Sequence, residues 1–135
     1  MSLERFVEAQ DKMYERALGE LRRGEKRSHW MWFVFPQIAG LGHSDMARRY
    51  AIESLEEAEA YLAHPLLGQR LRECVGVLNT VDGRTISQIM GYPDDMKLRS
   101  CLTLFSRATR DNQVFLDALD KYYAGEVDRE TLKRL

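Results

Sequence analysis

Two stretches carry side chains whose types and spacing suit chemistry. Residues 29–37, HWMWFVFPQ, hold both tryptophans of the chain, two of its five phenylalanines and a histidine. Residues 94–100, DDMKLRS, set paired carboxylates beside a lysine. Carboxylates next to a cation can exchange protons or orient a polar ligand, and aromatic rings edged by a few polar groups are the usual walls of a small-molecule pocket. His29, Asp94, Asp95 and Lys97 are therefore the candidate acid–base groups. Trp30, Trp32, Gln37, Ser44 and Arg99 are the candidate ligand contacts. Each has a plainer role open to it. The aromatics suit a core, His29 suits the core boundary, and Asp94 with Asp95 suit a first helical turn, where the helix dipole favours carboxylates.

Other motifs are weaker. His29, His43 and His64 are spaced too widely for HExxH, and no CxxC supplements them, so no metal site is expected. AGLGHSD offers only a GxG, with Asp45 where a third glycine would stand. What remains is Ser44 as a helix cap, with backbone amides there able to face an anion. RRGEKR, Arg22 to Arg27, with Arg48 and Arg49 as candidate neighbours, reads as a solvated helix end or as a phosphate-contacting patch beside stacking tryptophans. There is no Walker loop or nucleophile elbow, and no motif names a cofactor.

The elements that must position these residues are helical. Leu3, Phe6, Val7, Gln10, Met13, Tyr14, Ala17, Leu18 and Leu21 follow amphipathic spacing, and Gly24 stops that helix. Further helices are expected from Ser44, from Ser54 with Glu57 as a capping box, and from Pro65 through Leu67, Leu71, Cys74 and Leu78. Thr85 with Gln88 forms another box before a short helix ending at Gly91. Pro93 opens a helix through Phe105, Asp111 caps one ending at Gly125, and Asp128 caps the last. No segment alternates long enough for a sheet. The expected fold is one all-α domain, residues 1–135, of about seven to eight helices, with a central aromatic-rich buried helix from Ser28 to Phe35.

Composition sets the bounds. With 20 Lys+Arg against 21 Asp+Glu there is no overall field to attract nucleic acid or an anionic membrane. The apolar run from Trp30 to Pro36 is far shorter than the roughly 20 residues of a membrane span. The N-terminus, with Glu4, Arg5 and Glu8, lacks a signal-peptide core, and a cytoplasmic location follows. Cys74 and Cys101 fit buried free thiols.

RFVEAQDKMYERALGELRRGEKRSHWMWFVFPQIAGLGHS resembles the bacterial family known as domain of unknown function 1810, as do ARRYAI, EAEAYLAHPLLGQRL and DDMKLRSCLTLF. The resemblance spans the chain and implies a compact all-helical fold with no established activity. Members sometimes carry the label calpastatin, which does not suit a chain with neither repeats nor disorder composition. Cys101 departs from the family pattern, in which a second serine often follows Ser100.

Two functional readings follow. In the first, the HWMWFVFPQ and DDMKL segments form one pocket for a nucleotide-like small molecule, with or without catalysis. In the second, the aromatic block is core and the Arg22–Arg27 region docks a protein or nucleic acid, nucleic acid being the less favoured partner. Monomer and homodimer are both compatible with the sequence.

Overall fold

The computed structural model describes residues 2–135. Its helices, in chain order among the described residues, are α1 (Glu4–Arg23), α2 (Met31–Val34), α3 (Asp45–Arg49), α4 (Leu55–Ala63), α5 (Leu67–Thr80), α6 (Ile86–Met90), α7 (Asp94–Ser106), α8 (Gln113–Tyr123) and α9 (Arg129–Lys133). Among the described residues, extended pairing is confined to one parallel bridge between Ile38 and Ile52. The fold is all-α, as expected, with more short helices than periodicity reveals.

Helix α1 buries Phe6, Gln10, Tyr14, Ala17, Leu18 and Leu21 on one face and ends at Gly24, whose φ of 73° is the left-handed turn that glycine adopts freely. Against that face lie α5 and α2, while α5 also packs on α4 and α8. Gly68 allows the α4–α5 corner to close, because a Cβ there would collide with the Leu62 carbonyl. Helix α7 is buried along most of its length and rests on α4, α6, α8 and α9. A chain of ring contacts crosses the interior from Phe33 through Tyr50, Phe6, Tyr61 and Phe105 to Phe115. Each such ring removes about 150–250 Å² from water, several kcal/mol of stabilisation.

Capping explains most boundaries. Ser44, Ser54, Thr85 and Asp128 each accept a backbone N–H of their helix, and Thr85 with Gln88 forms the full reciprocal box. At Ser54 the box is displaced, since the Glu57 carboxylate takes the N–H of Glu53 instead. Pro65 lies just before α5 rather than in it, and the His64 Nδ1 accepts the N–H groups of Leu66 and Leu67. Asp111 is not the cap of α8, which begins after Asn112.

The central aromatic helix is much shorter than Ser28–Phe35. Only Met31–Val34 is helical. On the C-terminal side, Phe35 precedes a proline, which disfavours helical backbone, and adopts φ −125° and ψ 70°. On the N-terminal side the helix starts only after Trp30, whose φ of −132° and ψ of 6° lie outside the helical range, while the preceding amides of Arg27 and Ser28 are bound by the Glu20 side chain. The block is nonetheless buried, with Trp30, Met31, Phe33, Val34 and Phe35 all in the core. Cys74 and Cys101 are buried and free; burial pushes the Cys74 thiol up to about 12 and the Cys101 thiol well above its ordinary value. No helix among the described residues is long and apolar enough to cross a membrane.

Candidate functional site

Beyond Pro36 the chain leaves the core and folds over it. The amide of Ala39 bonds to the Ile52 carbonyl and the amide of Ile52 to the Gln37 carbonyl, each at 2.8 Å. These bonds close a loop containing α3. From α1, the Arg5 guanidinium clamps the far end of the loop, donating to the carbonyls of Arg49 at 2.9 Å and Ala51 at 2.8 Å. Between loop and aromatic block a recess of about 140 Å³ remains. Its walls include Trp32, Phe35, Gln37, Arg48, Tyr50 and, from the distant helix α7, Lys97. Gly40 also lines it, with φ of 98° and the Arg134 guanidinium lying where its Cβ would point, so a side chain there would have to push the guanidinium aside.

The two segments singled out by their chemistry do meet here, through Trp32, Gln37 and Lys97. The Lys97 Nζ stands 5.7 Å from the centroid of the Trp32 ring. Within the described residues, neither the Trp32 indole N–H nor the Gln37 amide is engaged in a hydrogen bond, although both residues are partly buried. Polar groups left open on a concave apolar wall are what orients a ligand in a pocket.

The other candidates lie elsewhere. His29 is exposed and does not line the recess, so the expected convergence of His29 with the acidic segment is not realised there. Trp30 is fully buried, and its indole N–H donates to Glu20 at 2.9 Å. Asp94 pairs with Lys26 at 2.9 Å and more loosely with Lys97 at 3.9 Å. Asp95 is a packing and capping group: its carboxylate accepts from Ser87 at 2.8 Å and from the Met96 amide at 2.9 Å. Ser44 spends its oxygen on the Ala47 amide, at the start of a five-residue helix. Arg99 faces Glu126 and Asp128, each at 3.9 Å, and lines a separate, more open depression formed with residues 125–130. Among the described residues no three His, Cys, Asp or Glu side chains gather as metal ligands.

Four residues escaped sequence reasoning. Arg48, a candidate neighbour of the Arg22–Arg27 cluster, lines the recess, together with Glu53. Arg134 reaches its rim from the last helix. Lys26 is no solvated cation, since its side chain is 8% exposed and is spent on Asp94, the Ser28 carbonyl and the Trp30 ring. The Gly-rich loop with its capping Ser44 was the available signal for Arg48. Lys26 and Arg134 had none.

Electrostatically the best-defined group is Glu20. Burial pushes its carboxyl up, but the Ser28 hydroxyl, the Arg27 and Ser28 amides and the Trp30 indole all donate to it and together bring it down to about 2. It is a structural anion that ties residues 27–30 to α1.

Fold and recess together define a single all-α domain with an aromatic-walled pocket under a clamped loop. The chain belongs to the family described as "Protein of unknown function (DUF1810)", which matches residues 1–135. It is similar to the conserved hypothetical protein Rv1873 from Mycobacterium tuberculosis, whose crystal structure was solved at 1.38 Å. The two are 59% identical with a TM-score of 0.97, over 98% of this chain and 95% of that one. A search of curated proteins finds no match.

Proposed function

We propose that the protein binds a small molecule in the recess beside Trp32. One observation carries this reading: Trp32, Gln37 and Lys97, from segments far apart in sequence, line a single cavity. Its size limits the ligand. An apolar protein cavity of about 150 Å³ accommodates a benzene-sized ring, so a recess of about 140 Å³ takes one ring and no more. A nucleotide-like ligand would insert its base and leave sugar and phosphate at the rim. Of the four acid–base candidates only Lys97 lines the recess, so binding is the primary role and any proton transfer would run through Lys97.

The docking alternative has less support. Lys26 is withdrawn into the structure and Arg27 is paired with Glu25 at 2.8 Å. Only Arg22 and Arg23 of that cluster remain exposed and unpaired among the described residues.

A thermal-shift screen of ring-bearing metabolites tests the proposal, run alongside Ala47→Leu, which fills the recess from its wall. Stabilising compounds should emerge that lose their effect in Ala47→Leu and Trp32→Ala. Hits indifferent to both substitutions, or no hits, would count against it.

A further inference from the structure

The charges around the recess are unevenly matched. Among its lining residues Arg48 and Lys97 are cations, and Glu53 is the single carboxylate. Arg134 adds a third cation where it lies on Gly40. Neither Arg48 nor Arg134 enters an ion pair among the described residues.

Asp94 is held twice, and unequally. Lys26 contacts it at 2.9 Å and cannot turn away, being itself fixed by the Ser28 carbonyl at 2.7 Å and seated 4.9 Å from the Trp30 ring centroid. Lys97 stands at 3.9 Å, with its side chain 29% exposed. A pair that long and that open to water contributes little. If Lys97 turned to another anion, Asp94 would keep its shorter contact, and no charge would be stranded. The same ammonium already lies near the Trp32 ring that walls the recess.

Resting on the small-molecule reading above, we infer that the recess selects a small planar anion, one ring bearing a carboxylate or phosphate. Asp94 serves as an internal stand-in for that anion. The ligand's ring enters beside Trp32, and its negative group takes Lys97 from Asp94, with Arg48 and Arg134 adding to the attraction. A charge-assisted hydrogen bond to the incoming group is stronger than the loose pair it replaces. Asp94 is then a competitor with the ligand, not the acid–base group its sequence position suggested.

Isothermal titration of the full chain at low salt provides the test, with matched probes: orotate against uracil, nicotinate against nicotinamide, and uridine monophosphate against uridine. The first two pairs present a carboxylate and the third a phosphate. The anionic member of at least one pair should bind about tenfold tighter or more, the scale of one charge-assisted contact. Lys97→Gln should remove most of that preference, the remainder being what Arg48 and Arg134 supply. Asp94→Asn should tighten the anion severalfold and leave the neutral partner unchanged. The pair preference and the Lys97→Gln result stand whether or not Asp94→Asn folds. Neutral probes binding as well as anionic ones would overturn the inference and leave the small-molecule reading intact. Looser anion binding in Asp94→Asn would overturn the stand-in role. No binding by any member of the three pairs would sink both.

Discussion

Trp30 and Trp32 are two residues apart and share a one-turn helix and its cap, yet the fold uses them differently. Trp30 is fully buried, with Phe35 6.0 Å away between ring centroids, a lysine at its face and its N–H on Glu20. Trp32 is half-buried beside a cavity, with its N–H open among the described residues. The indole N–H of the first has a buried partner, whereas among the described residues the Trp32 indole and the Gln37 side-chain amide have none. Buried polar groups are normally satisfied; Trp32 and Gln37 are only partly buried, and their open hydrogen-bonding groups at the recess are what the proposed ligand would use.

The largest expected effect lies on the saturated side. Glu20→Ala strips the Arg27 and Ser28 amides, the Ser28 hydroxyl and the Trp30 indole of one shared acceptor. Removing a buried charged acceptor of this kind costs about 3–5 kcal/mol, readable as a fall in denaturation midpoint. Restored stability in that variant would mean that Trp30 is held by packing alone.

Acid sharpens the same contrast. The folded-state carboxyl of Glu20 lies near 2 against an ordinary 4.5. Its contribution is therefore present above about pH 4.5 and lost as pH falls toward 2. The shift corresponds to about 3 kcal/mol. Urea midpoints followed from pH 5 to pH 2 should fall more steeply in the native chain than in Glu20→Gln.

On the recess side the stability effects are smaller and the binding effects larger. Gly40→Ala forces a side chain into left-handed backbone and displaces Arg134. It should cost about 1–3 kcal/mol and weaken probe binding. Trp32→Ala should cost less than a fully buried ring, about 1–2 kcal/mol, yet abolish the thermal shifts. Smallest of all, Arg22→Gln with Arg23→Gln should stay within about 0.5 kcal/mol and leave probe binding untouched. Lost binding there would move the site to the end of α1.

The helices were legible because their signals are local. The apolar period of α1, the Thr85–Gln88 box and Gly24 act within a few residues. The length of α2 was not, because the chain leaves helical geometry at Trp30, whose indole is held by Glu20 from outside the segment. The recess was half legible: its aromatic wall and Lys97 stand out by residue type, but its other wall depends on the single Ile38–Ile52 bridge and on Arg5 reaching across to carbonyls. A lone bridge leaves no periodic trace. His29 misled because adjacency to aromatics says nothing about which way a non-helical residue faces, and it faces water.

The two indole N–H resonances, assigned with Trp32→Phe, report on both regions at once. Titrated with orotate and nicotinate, and with their neutral partners, the Trp32 resonance should shift saturably while that of Trp30 stays in place. A Trp32 signal unmoved by every probe at millimolar concentration, or a ligand-dependent shift confined to Trp30, would contradict a binding recess beside Trp32.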